Sequence, residues 1–133
     1  MAIRFKNLNQ FNRELTIFGK TTVPAEHLKL QKRIALDLLR RIVFRTPVKT
    51  GRARGNWQVA LGAASGSEIE NLDKEGNSTF GAGASEIGTA KPYGLITVFN
   101  NVKYIKFLEG GSSSQFPQGM VRVSLAEVEA QFR

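Results

Sequence analysis

Cysteine is absent from the chain, and histidine occurs once, at His27. Lack of cysteine excludes a disulfide scaffold, a thiolate zinc site and a thiol nucleophile. One imidazole is too few for most histidine-based catalysis and most imidazole metal sites. His27 reads as a partly exposed side chain in the first turn of a helix. Long apolar runs are missing too: none approaches the roughly 20 residues of a membrane-spanning helix, and Met1 is followed by no signal-like core. Acids are scarce beside bases, with 11 Asp and Glu against 19 Lys and Arg and a formal net charge of +8.

What is present suits one folded domain. Hydrophobic residues at 41% and charged residues at 23% are ordinary globular proportions. The 133 residues make one domain, with 1–6 as an N-terminal arm. A chain of this length buries about 68–70% of its unfolded surface, enough for a core without staples. The charge is uneven. Residues 1–60 hold 13 Lys and Arg against three acids, a net +10, and residues 61–133 hold six against eight, a net −2. This polarity fits nucleic-acid binding, and it fits equally a chain that assembles basic side to acidic side.

Apolar periodicity sets the elements. Leu8, Phe11, Leu15 and Phe18 form one stripe and predict a helix over Asn7–Phe18, with Gly19 as its left-handed cap. Pro24 near a helix start, Glu26 in the first turn and the apolar face Leu28, Ala35, Leu38, Leu39, Ile42 and Val43 predict a long helix over Pro24–Phe44. Its opposite face is basic, with Lys29, Arg33, Arg40, Arg41 and Arg45 beside Asp37. Thr46-Pro47 ends it, because the residue before proline leaves the α region. The period then changes to 2, and Trp57, Val59 and Leu61 predict a half-buried antiparallel strand. Residues 62–78, rich in Gly, Ser, Asn and acids, predict a flexible loop or arm. A helix is expected near Thr79–Ala90, although each of its three glycines costs about 1 kcal/mol. Leu95–Phe99 predicts a central strand covered on both faces. A short helix over Val102–Glu109 and an exposed loop over Ser112–Gly119 follow. The stripe Val121, Leu125, Val128 and Phe132 predicts a C-terminal helix, with Ser124 and Glu127 as an alternative capping box. The fold class is α+β: the long helix packs on a small, mainly antiparallel sheet, with a further C-terminal helix.

Enzyme signatures do not assemble. Gly81-Ala82-Gly83 is followed by Glu86 where a dinucleotide loop needs its third glycine, and Gly19-Lys20-Thr21 lacks the glycine five residues earlier. Ser112, Ser113 and Ser114 have no base within a motif. Among the carboxylates Glu68, Glu70, Asp73, Glu75, Glu86 and Glu109, the first four sit in the 62–78 loop, a poor place to fix two carboxyls at a set separation. Glu109 stands out beside Tyr104, Phe107 and Leu108; its plainer roles are to cap backbone donors or to pair with an arginine. No enzyme, cofactor or metal site is expected. Arg40, Arg41, Arg45, Lys49, Arg52 and Arg54 span a helix end, the following turn and a strand start, along which Pro47 and Gly51 aim Arg52 and Arg54. They suit phosphate contact, or equally a solvated face with salt bridges.

Thr46-Pro47-Val48-Lys49-Thr50-Gly51-Arg52-Ala53-Arg54-Gly55-Asn56-Trp57 resembles the Thr-Pro-Val-Asp-Thr-Gly-Arg-x-Arg-x-x-Trp element of the phage neck and tail-completion proteins. These are minor tail proteins that join the tail of long-tailed phages to the head connector. Asn100-Asn101-Val102-Lys103-Tyr104, then Leu108-Glu109-Gly110-Gly111-Ser112, is similar to a second run of that family, and Gln115–Arg122 continues it. Order and spacing agree over most of the chain from Leu28 onward. Lys49 stands where an acid is usual, Lys103 where proline is common, and Ile105 where alanine is common. The resemblance implies a structural virion protein in a ring, a hexamer. Its partners would be head-connector or stopper proteins and tail-terminator or tail-tube proteins, with DNA passing through the lumen and no membrane. The expected location is the virion neck, and the host cytoplasm during assembly. Within it, Arg52 or Arg54 is expected to pair with Glu109, in one subunit or across two. Tyr104 is expected to bury its ring and bond its hydroxyl. The alternative function is a nonspecific nucleic-acid-binding module using the basic half.

Overall fold

The computed structural model describes residues 8–132, and the expected N-terminal arm lies outside them. Its order is α1 (Leu8–Ile17), a π turn (Phe18–Thr22), α2 (Val23–Arg45), α3 (Arg52–Gly55), β1 (Trp57–Leu61), α4 (Asn77–Gly88), β2 (Ile96–Asn100), α5 (Ile105–Glu109) and α6 (Met120–Gln131). The class is α+β, with a long helix, a two-stranded antiparallel sheet and a C-terminal helix.

Gly19 does not end a helix. Ile17 and Val23, flanking the π turn, both keep right-handed helical dihedrals, and the Val23 N–H reaches back to the Phe18 carbonyl. Pro24 supplies the physical reason. It lacks an N–H and its ring crowds the carbonyl four residues earlier, so the widened turn before it relieves both problems while the helix continues. The far end follows expectation. Arg45 is the last helical residue, and Thr46 is extended at φ −64°, ψ 125°.

The two strands pair in register, Trp57 opposite Asn100, Val59 opposite Val98 and Leu61 opposite Ile96. Directly opposed residues share a face, so Trp57, Val59, Ile96 and Val98 point together toward the helices. They join Ala35, Leu39, Ile42 and Val43 of α2, Ile87 of α4 and Met120 of α6 in one core. β2 is thus not the central strand its apolar run predicts. The sheet ends at β2, and all five of its residues are half-buried. On the other face of the sheet the 62–67 loop is tied at two points: the Thr97 hydroxyl of β2 donates to the Gly62 carbonyl at 2.5 Å, and the Gln58 amide of β1 to the Ser67 carbonyl at 3.5 Å.

α4 meets β1 through Gly83. A Cβ there would lie 2.5 Å from Leu39 Cδ2 and 3.0 Å from Val59 Cγ2, so the glycine sets how closely α4 approaches. α6 begins at Met120, which rules out the Ser124–Glu127 capping box; its buried stripe is Met120, Ser124 and Val128, with Leu125 half-exposed.

Candidate functional site

The first motif forms a compact knot at the end of α2. The Thr46 hydroxyl donates to the Ile42 carbonyl at 2.7 Å and accepts the Trp57 indole N–H at 2.7 Å, both buried. Gly51 reverses the chain at φ 89°, where a Cβ would lie 2.7 Å from the Lys74 nitrogen. Arg52 and Arg54 then lie in the helical turn α3 and not along a strand start, because the Gly55 N–H closes that turn on the Gly51 carbonyl at 2.8 Å.

Each motif arginine has a definite partner, and neither is Glu109. Arg54 donates to the Thr46 carbonyl at 2.8 Å, the Phe44 carbonyl at 3.1 Å and the Lys74 carbonyl at 2.8 Å. It therefore caps the carbonyl end of α2, where a cation is favourable. Burial lowers its pKa from the ordinary guanidinium value. Arg52 pairs with Glu68 at 2.5 Å. That hydrogen bond raises the arginine's pKa and holds the Glu68 carboxyl below its usual range.

Glu109 accepts the backbone N–H of Val121 at 2.9 Å and of Arg122 at 2.9 Å. It caps the start of α6, one of the two plainer roles its sequence context allows, and within the chain this takes the place of the expected pairing with Arg52 or Arg54. The reason is local: Gly119, at φ 88°, brings the first N–H groups of α6 over the carboxylate, and a Cβ there would lie 2.7 Å from Glu109 Oε1. Tyr104 departs from expectation as well. Its side chain is 42% exposed and sits at the start of α5, on the rim of a surface cleft.

The two motifs meet in that cleft. Pro47 to Ala53 line one side, and Tyr104, Leu108 and Ser112 to Gln115 the other, around about 670 Å³. Gln115 bonds both the N–H and the carbonyl of Val48 at 2.8 Å. Asn100 donates to the Ala53 carbonyl at 2.8 Å and accepts the Val102 N–H at 3.0 Å.

The basic face divides. Arg41 pairs with Asp37 at 2.9 Å and with Glu127, and Arg45 with Glu127 at 2.8 Å and with the Ser124 hydroxyl at 3.2 Å. The Arg45 hydrogen bond, with Arg41 beside it, holds the Glu127 carboxyl below its usual range. These two arginines fasten α6 to α2. Arg33 lies over the Phe132 ring at 5.4 Å, while Lys29 and Arg40 are exposed.

Several bonded residues escaped sequence reasoning. Asn56 is fully buried and clamps the loop by donating to the Ile69 carbonyl at 3.1 Å and accepting the Ile69 N–H at 2.7 Å. Asn71 donates to the Gly55 carbonyl at 2.9 Å. Of the loop expected over 62–78, residues 62–76 lack helix and strand and 77–78 already belong to α4, and its second half is tied to the motif knot. The signal available for Glu127 was the four-residue spacing of Arg41 and Arg45, which places two guanidinium groups on one stripe.

Among the described residues, no three His, Asp or Glu side chains cluster as metal ligands would, and no helix is long and apolar enough to cross a membrane. Comparison with known proteins finds no matching family model, no matching curated protein and no matching solved structure.

Proposed function

We propose that the chain is a structural subunit of the neck of a tailed phage, a tail-completion ring joining the head connector to the tail tube. One observation carries the reading. The two segments that resemble the family's elements, residues 46–57 and 100–115, come together in space as the two walls of one cleft, bonded through Asn100 to Ala53 and through Gln115 to Val48. Sequence likeness in two distant segments gains weight when those segments build one surface. Their glycines, prolines and asparagines then serve a single local structure instead of two unrelated turns.

The competing nucleic-acid reading loses its best residues to structure. Arg41, Arg45, Arg52 and Arg54 are all engaged within the chain. A carboxylate hydrolase fares no better, since Glu68 is held by Arg52 and Glu109 by two backbone N–H groups.

Native mass spectrometry and electron microscopy of the purified chain test the proposal. A closed ring, with a hexameric mass and binding to isolated phage heads or tails, is the expected result. A monomer that joins neither would end it. Binding to duplex DNA that falls steeply as salt rises, without any ring, would favour the nucleic-acid module instead.

A further inference from the structure

An apolar groove opens along α2 from His27 to Ile42. Ile34 and Leu38 form its floor, Ile96 and Val98 of β2 one wall, and Val121 and Leu125 of α6 the other, around about 490 Å³. It continues toward the π turn as a second apolar depression of about 300 Å³ that includes Phe18 and Val23. His27 and Leu30 line both. One apolar strip therefore runs from the π turn to α6, with Leu30 at 48% and Leu125 at 50% exposure on its edges. A continuous exposed apolar strip of this kind marks a docking surface.

The same chain carries a segment shaped for it. On its apolar stripe α1 presents Leu15 at 48% exposure, and among the described elements it packs substantially on none but the π turn. It cannot fold back onto its own groove, because the helix is unbroken from Leu8 to Arg45. At 1.5 Å per residue that helix is about 57 Å long, whereas a compact domain of this size is roughly 35–40 Å across, so α1 overhangs the body. Leu15 lies about 18 Å along the axis from His27, at the near end of the groove.

We propose that α1 of one copy lies in the α2–β2–α6 groove of a second copy, with Leu15 against Leu125. A second copy is the occupant these features favour because each chain offers one overhanging helix and one groove, which can satisfy each other one for one. An amphipathic helix seated in an apolar groove is a recurrent mode of association. Such a contact joins two different surfaces, so it closes a ring or, when exchanged reciprocally, a pair. The inference does not depend on the phage reading.

Absence of cysteine makes the test direct. Leu15→Cys and Leu125→Cys chains, one carrying a mass tag, are mixed and mildly oxidised, and the native mass of the assembly is measured. The expected product is the mixed Leu15–Leu125 disulfide in excess over either like-with-like disulfide. Leu15→Asp, at an exposed position, is expected to keep the far-ultraviolet circular dichroism of the parent while weakening self-association at least tenfold. Like-with-like disulfides in excess, or undiminished association of Leu15→Asp, overturn the proposal, as does a parent chain that remains monomeric. A mixed disulfide in a dimer keeps this contact and ends the ring reading. A hexamer without the mixed disulfide does the reverse.

Discussion

Asp73 accepts four hydrogen bonds: from the Gly76 N–H at 2.9 Å, the Ser78 hydroxyl at 3.0 Å, and the Thr79 N–H and hydroxyl at 2.9 and 2.7 Å. Burial alone would raise its pKa, but these donors outweigh burial and lower it to about 2 from 3.8. A carboxyl depressed by folding stabilises the fold above its unfolded pKa, and the gain is lost as pH falls through the folded one. Asp73→Ala is therefore expected to cost about 1–2 kcal/mol at neutral pH, as for loss of a helix cap. Denaturant melts should show the gap to the parent closing between about pH 4 and pH 2. At this scale the sequence points to the right residue types but leaves the partner open for Glu109 and misplaces it for Arg54. Glu109 takes backbone donors, one of its two expected roles, while Arg54, expected to pair with that carboxylate, bonds to backbone carbonyls. The acceptors and donors that claim them, the open end of α2 and the first turn of α6, exist only once those helices have formed.

Periodicity was a good guide to the elements where one face is buried, as in α2 and β1, and a poorer one elsewhere. Leu95–Phe99 is apolar on both faces, yet Leu95 is 62% exposed and the strand has one neighbour, so a two-sided apolar run does not by itself mark a central strand. α4 was legible only as a weak helix, since its glycines argue against helix. The structure separates them. Gly81 has open space around its Cβ position, while Gly83 faces Leu39 and Val59. Gly81→Ala is accordingly expected to stabilise by roughly 0.5–1 kcal/mol. Gly83→Ala gains the same propensity but overpacks the core, and it is expected to lose about 1–3 kcal/mol. Opposite shifts in thermal midpoint for two identical substitutions in one helix would verify this, and equal shifts would refute it.

For the whole molecule, the +10 and −2 halves meet first inside one chain. Arg41 and Arg45 reach across to Glu127, and Arg52 to Glu68. Part of the polarity that suggests a partner is thus consumed in joining the chain's own two halves. Glu127→Gln leaves two guanidinium groups facing an uncharged amide at the α2–α6 seam. Its thermal midpoint is expected to fall below the parent's by more at low salt than at high salt, because partly exposed pairs are screened. A salt-independent difference would show that the carboxylate acts through packing alone. The exposed charges of Lys29 and Arg40 lie on the outer side of α2, away from the apolar strip. The π turn gives that strip a further property. It holds one residue more than an α turn, and one residue is about 100° of rotation. The facing of α1 is therefore set by one residue in this turn. Removing one residue from 18–22 restores an α turn and leaves the faces of α1 pointing where they do now. Replacing Pro24 so that the turn tightens keeps every residue and rotates α1 by about 100° about its own axis, presenting a different face.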